Sequence, residues 1–223
     1  AGTDQLWASS ARWQARSWPS SGPESNPCLC ETGAARYPVS MNLGETLPKN
    51  ILLIGFMGCG KSTIGRHLGK LLGYPVVDTD ELIEAKAGMA ITEIFATRGE
   101  DYFRQLEAAV LQELSAPDAP RRIISTGGGI VTRKANRRLL GQLGYVVWLE
   151  VPVDEILKRT ARNHDRPLLK TENPREKIAA MLAEREPLYS QCADLTLDSS
   201  DLSAEEIACG ILESARYHFA HGA

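Results

Sequence analysis

The run Gly55-Phe56-Met57-Gly58-Cys59-Gly60-Lys61-Ser62-Thr63 holds the residue types that handle phosphate. Its spacing, G-x-x-x-x-G-K-[S/T], sets bare backbone N–H groups around one ammonium and ends on hydroxyls. A loop of this kind cradles the phosphates of a nucleotide. Lys61 would reach the outer phosphates, and the Ser62 hydroxyl would ligate the accompanying magnesium. Cys59 reads as a small side chain of the loop, with a thiol beside Lys61 and a helix N-terminus. The loop says nucleotide and leaves open what the nucleotide is used for.

Further groups along the chain could complete a reaction. Asp78-Thr79-Asp80 follows the apolar Pro75-Val76-Val77. Two carboxylates one residue apart could serve a metal and a substrate hydroxyl, or could merely cap the next helix. Ser125-Thr126-Gly127-Gly128-Gly129 ends another apolar run; its glycines leave backbone N–H groups bare for a ligand, or form only a flexible turn. The basic, aperiodic stretch from Arg159 to Lys170 includes Arg166 and is bounded by helices, as a lid that closes over phosphates would be, or is simply a solvated loop. Arg185 falls on the apolar face marked by Ile178, Met181, Leu182 and Leu188, where a charge is costly unless it is paired or reaches into a cleft, and where it could bind an anionic ligand group. Pro187 ends or bends that helix just beyond it. Arg104 and Glu107 lie beside a stripe of Phe103, Leu106, Val110 and Leu114, three apart, and could simply pair on the surface.

These groups need a scaffold, and the rest of the chain describes one. Asn50 to Ile54 is a buried strand, and Ile64, Leu68, Leu71 and Leu72 recur at helical spacing until Gly73 stops them. Strand segments are expected at 50–55, 75–78, 121–126, 145–150 and 193–197. Helical patterns fill 60–72, 80–88, 92–98, 100–114, 132–141, 153–161, 174–189 and 203–219. Alternation of this kind predicts a parallel sheet with helices on both faces and the site at the carboxyl ends of the strands. Residues 1–46 stand apart and read as a disordered extension before a domain at 47–220, with a transit peptide and a regulatory arm as the other readings; Trp7, Trp13 and Trp18 lie there among Ser and Pro without apolar periodicity.

Composition narrows the class. A net charge of -3 over 223 residues gives no basic excess, so no nucleic-acid surface is expected. No apolar run approaches the ~18 residues that cross a bilayer. The five cysteines are odd in number and scattered, which suggests neither a disulfide framework nor zinc and points to a cytosolic enzyme. His67, His164, His218 and His221 show no ligand spacing.

Taken together, GFMGCGKST, the DTD pair, the E-x-x-FR-x-x-E segment at Glu100–Glu107, GGG, RPLL and EREPLY at Glu184–Tyr189 resemble the shikimate kinase family over about residues 48–219. The resemblance implies an α/β fold of the nucleoside monophosphate kinase kind, a five-stranded parallel sheet in three layers with a lid. It implies transfer from ATP, with Mg2+, to the 3-hydroxyl of shikimate, giving 3-phosphoshikimate and ADP on the route to chorismate and aromatic amino acids. It also implies roles. Gly58, Cys59, Gly60, Lys61, Ser62 and Thr63 hold the ATP phosphates; Ser62 and, through water, Asp78 hold magnesium. Asp80 contacts shikimate hydroxyls and is the candidate base. Arg104 and Arg185 clamp the carboxylate, with Gly127, Gly128 and Gly129 against the ring. Arg166 touches transferring phosphate and Arg159 stacks on adenine. A cytoplasmic monomer without membrane or nucleic-acid partners is expected. Gluconate kinase shares the loop and general fold but needs neither GGG with the RPLL lid nor the EREPLY arginine. A non-catalytic relative should have lost Lys61, Asp80 or one of the clamp arginines; all are present.

Overall fold

The computed structural model describes residues 13–15, 50–117, 119–160 and 173–221. Its strands are β1 (Trp13–Ala15), β2 (Asn50–Ile54), β3 (Val76–Asp78), β4 (Arg122–Ser125), β5 (Tyr145–Glu150) and β6 (Leu195–Asp198). The last five run parallel in the order β3-β4-β2-β5-β6, which is the expected five-stranded sheet. β1 adds a sixth, antiparallel strand at the β6 edge, with Trp13 opposite Leu197. It comes from the segment that shows no apolar period, and three residues are too few to register one.

The central strand β2 explains the continuous apolar run in its sequence. Ile51, Leu52, Leu53 and Ile54 are all fully buried, because both faces of the sheet are covered. Ile51 and Leu53 enter one core with Ile64, Leu68, Ile207 and Ile211. Leu52 and Ile54 enter the other with Val110, Leu111, Leu140 and Tyr189. The first core is roofed by α1 (Lys61–Leu72) and by the C-terminal helix, Ala204–His221. The second lies under helices that follow β3 and β4: α2 (Thr79–Ala87), α3 (Ile91–Thr97), α4 (Gly99–Leu114) and α5 (Lys134–Leu143). A 3-10 turn, Ile130–Thr132, precedes α5 and delays its start relative to the sequence pattern.

Two helices complete the fold before the C-terminal helix α8: α6 (Val153–Thr160) and α7 (Pro174–Cys192). The possibility that α7 ends at Pro187 is overturned, since it continues to Cys192. Proline removes one backbone donor, but the turn beyond it is pinned by packing. Tyr189 is fully buried there and stacks on Trp148 at 5.7 Å. Tertiary contact outweighs the local helix-breaking preference.

Candidate active site

Both ends of the phosphate loop are built in. Gly55 (φ 137) leaves β2 where an added Cβ would lie 2.5 Å from the Leu149 carbonyl oxygen, so only glycine fits. Gly60 (φ 92) caps α1 in the left-handed region, and α1 begins at Lys61 as expected. Lys61 is nearly buried, and its Nζ donates to the carbonyls of Gly55 and Phe56, both at 2.8 Å, and to Cys59 Sγ at 3.3 Å. The ammonium is thus held within its own loop, beside the N-terminus of a twelve-residue helix.

A cleft of about 500 Å3 opens from this loop. In one direction its wall is Leu202, Ala204 and Ile207 with Arg159, an apolar slot with one cation that suits a flat base. Arg159 is anchored there by a 2.9 Å bond from Nη2 to the Ser199 carbonyl. In the other direction the cleft reaches Asp78, Asp80 and Ser125. The parallel register sets Asp78 beside Ser125. Ser62 Oγ donates to Asp78 Oδ2 at 3.2 Å and lies 3.5 Å from Ser125 Oγ. Hydroxyl and carboxylate oxygens are the donors that magnesium takes, so the set fits that ion. Asp78 also caps α2, accepting from the Asp80 N–H at 3.0 Å. Capping and facing the loop are therefore both true of this residue.

The glycine run is a fitted turn. A Cβ on Gly127 would fall 2.7 Å from Asp80 Oδ1, so the missing side chain is what admits the carboxylate. The expectation of bare N–H groups does not hold at Gly127, whose N–H donates to Thr79 Oγ1 at 3.0 Å. The Gly128 carbonyl accepts from Tyr189 at 2.5 Å and from Arg185 Nη1 at 3.4 Å. Arg185 faces inward as its spacing predicts, with its guanidinium 5.7 Å from the Phe56 ring centre. Its Nε is buried and without a hydrogen-bond partner among the described residues.

Arg104 closes the other side of the glycine run, against Gly129. The surface pairing with Glu107 is corrected by burial: the side chains are 11% and 1% exposed. Arg104 Nη1 bonds both Glu107 oxygens, at 3.2 and 3.1 Å, and Nη2 bonds Glu100 Oε1 at 3.0 Å. The inward stripe of α4 is Phe103, Glu107, Val110 and Leu114, with Leu106 only partly buried. Burial pushes the Glu107 carboxyl up to about 7, although Arg104 opposes the shift; the nearby Asp80 adds to it. Arg104 from α4 and Arg185 from α7 thus flank one glycine run, with Asp80 at its start. Arg166 and the rest of 161–172 lie outside the described residues.

This geometry agrees with what similar proteins are. The family model described as "Shikimate kinase" matches residues 57–216. The chain belongs to the shikimate kinase family. A shikimate kinase of Actinobacillus pleuropneumoniae is 46% identical over 165 residues, which cover 74% of this chain and 94% of the relative. One from Halorhodospira halophila is 45% identical, over 75% of this chain and 93% of its own. Among solved structures, shikimate kinase from Acinetobacter baumannii in complex with shikimate superposes with a TM-score of 0.71 at 45% identity, covering 76% of this chain and 93% of that one. A gluconokinase from Sinorhizobium meliloti reaches only 0.51 at 18% identity, which shows a shared fold and no more. As a member of the family the chain is a kinase acting on shikimate, with ATP and Mg2+ as the usual cofactors.

Sequence reasoning missed several members of the site. Thr79 and Tyr189 brace the glycine run through its backbone, and Asn136 lies behind Glu107 at 3.5 Å. Glu107 carried a readable signal, a charge spaced four and three residues from Phe103 and Val110 on the buried stripe. Nothing in the local sequence marks Asn136.

Proposed function

We propose that the named residues divide the transfer of the ATP γ-phosphoryl group to the shikimate 3-hydroxyl as follows. The single observation that carries the reading is the convergence of Asp80, Arg104 and Arg185 on Gly127–Gly129, of which Asp80 and Gly128 also line the cleft that opens from the phosphate loop. Arg104 and Arg185 bind the shikimate carboxylate by charge-assisted hydrogen bonds. Asp80 orients the acceptor hydroxyl and takes its proton. Such transfer is largely dissociative, so the base acts late and positioning contributes more than proton removal.

Lys61 and the backbone of Gly58, Cys59, Gly60, Ser62 and Thr63 hold the phosphates, and Lys61 opposes the charge that builds on the transferring oxygens. Ser62 and, through water, Asp78 would hold magnesium, which when bound neutralises phosphate charge. Arg159 covers the adenine, and Arg166 meets the transferring phosphoryl. Residues 47–220 form the catalytic domain, preceded by the extension 1–46. A cytoplasmic monomer that binds neither membrane nor nucleic acid fits the acidic net charge of -3. Among the described residues no helix is long and apolar enough to cross a membrane. ADP release measured with shikimate and with gluconate, side by side, tests the assignment. Turnover with gluconate alone would overturn it.

A further inference from the structure

Behind Arg104 lies a group of side chains that the transfer itself does not use. Glu107 is buried and shares the Arg104 guanidinium with Glu100. Asn136, fully buried on α5, directs Nδ2 at Glu107 Oε2 from 3.5 Å. Its Oδ1 is also buried and has no hydrogen-bond partner among the described residues. An unpartnered buried amide oxygen beside a carboxylate calls for a donor that is not always there. A proton on Glu107 is such a donor. Half a turn of the Asn136 amide exchanges its two ends, so the same side chain can donate to the carboxylate or accept from the carboxylic acid.

We infer that Glu107 and Asn136 form a buried proton-accepting pair, which takes up one proton when the shikimate carboxylate docks on Arg104. The inference rests on the carboxylate clamp proposed above. Docking brings another anion to a guanidinium that already serves two carboxylates, and like charge at short range favours the neutral acid. The proton comes from solvent, binds Glu107 Oε2, and is donated to Asn136 Oδ1 once the amide has turned. Arg104 then keeps its full charge for the ligand. The charged and titratable groups around Glu107 include Arg104 and, across its guanidinium, Glu100 on its own helix, Asp80 from α2, Arg133 at the start of α5 and Tyr189 from α7. Arg104 and Arg133 favour the carboxylate; Asp80 and burial favour the acid, which leaves the free site poised near neutrality.

The test is calorimetric titration of the full chain with shikimate at about pH 8, in two buffers of different ionisation enthalpy. The expected heats differ between buffers by the uptake of about half a proton or more. Glu107→Gln, already neutral, should bind with no uptake. Asn136→Leu keeps the volume but removes the acceptor; it forfeits only a 3.5 Å contact to the carboxylate, so its uptake should fall. Saturable binding with identical heats in both buffers overturns the pair and leaves the clamp standing. Uptake undiminished in Glu107→Gln also overturns the pair, by placing the proton elsewhere. No saturable heat from the wild-type chain overturns the clamp itself, and the pair with it.

Discussion

Arg104 and Gly129 fit each other so closely that a Cβ built on the glycine would lie 2.4 Å from both terminal guanidinium nitrogens. Neither partner can give way easily, because Arg104 is held from behind by Glu100 and Glu107. Gly129→Ala should therefore displace Arg104 and weaken one charge-assisted bond to shikimate. The loss is ~1.5–3 kcal/mol, or about 10- to 100-fold in shikimate KM. The ATP KM should stay near its starting value. Steady-state kinetics with each substrate varied in turn will show the split, and an equal rise in both KM values would contradict the placement of Arg104.

Lys61→Ala should fold and lose ~10²-fold or more in kcat, since electrostatic stabilisation dominates phosphoryl transfer. Its Nζ ties the loop to the Gly55 and Phe56 carbonyls, so a modest drop in melting temperature should accompany the loss. Near-normal turnover at saturating ATP would remove Lys61 from the phosphate site.

Asp80→Asn should be severely impaired in kcat yet still bind shikimate, because Arg104 and Arg185 hold the other end of the ligand. Asp80→Glu should also be poor. The carboxylate already sits where Gly127 has no side chain, and an added methylene moves it by roughly 1 Å, a shift that can cost ~10²-fold. Calorimetry beside rate measurements separates binding from turnover. Should Asp80→Asn keep most of its rate, the base would have to be sought at Asp78.

The Glu107 carboxyl, raised from 4.5 to about 7, carries a signed consequence for stability. A carboxyl raised in the folded state favours folding below its unfolded value, and that contribution is lost as pH rises through about 7. The full span is on the order of 3 kcal/mol. Glu107→Gln should accordingly raise the melting temperature more at about pH 8 than at about pH 5.5. Equal shifts at both values would mean that Glu107 is ionised, or neutral, throughout.

What was legible in the chain follows from how local each signal is. The strand-loop-helix of Asn50 to Leu72 is encoded within a few residues, and it folds where its pattern places it. Arg185 could be read as inward because one side chain broke a helical stripe. Glu107 broke a stripe too, but Leu106 beside it offered an alternative apolar register that only packing rejects. The bonds from Thr79 to Gly127 and from Tyr189 to Gly128 span 48 and 61 residues, and no periodicity records a contact at that separation. Pro187 misdirects for the opposite reason, since its local preference is strong and the packing of Tyr189 overrides it.

The passage from Ile54 to Gly55 is one peptide long, yet it crosses from the fully buried centre of the sheet into the phosphate loop. On the far side the chain enters α1 at Lys61. A loop clamped at both ends by such elements has little freedom left to lose when a nucleotide arrives. The entropy of ordering its amides falls on folding rather than on binding, so affinity for phosphate is not diluted by the need to organise the donors first. Amide exchange should show the gradient directly: the slowest hydrogens of the protein should lie in β2, immediately before the loop whose N–H groups must remain open to a ligand.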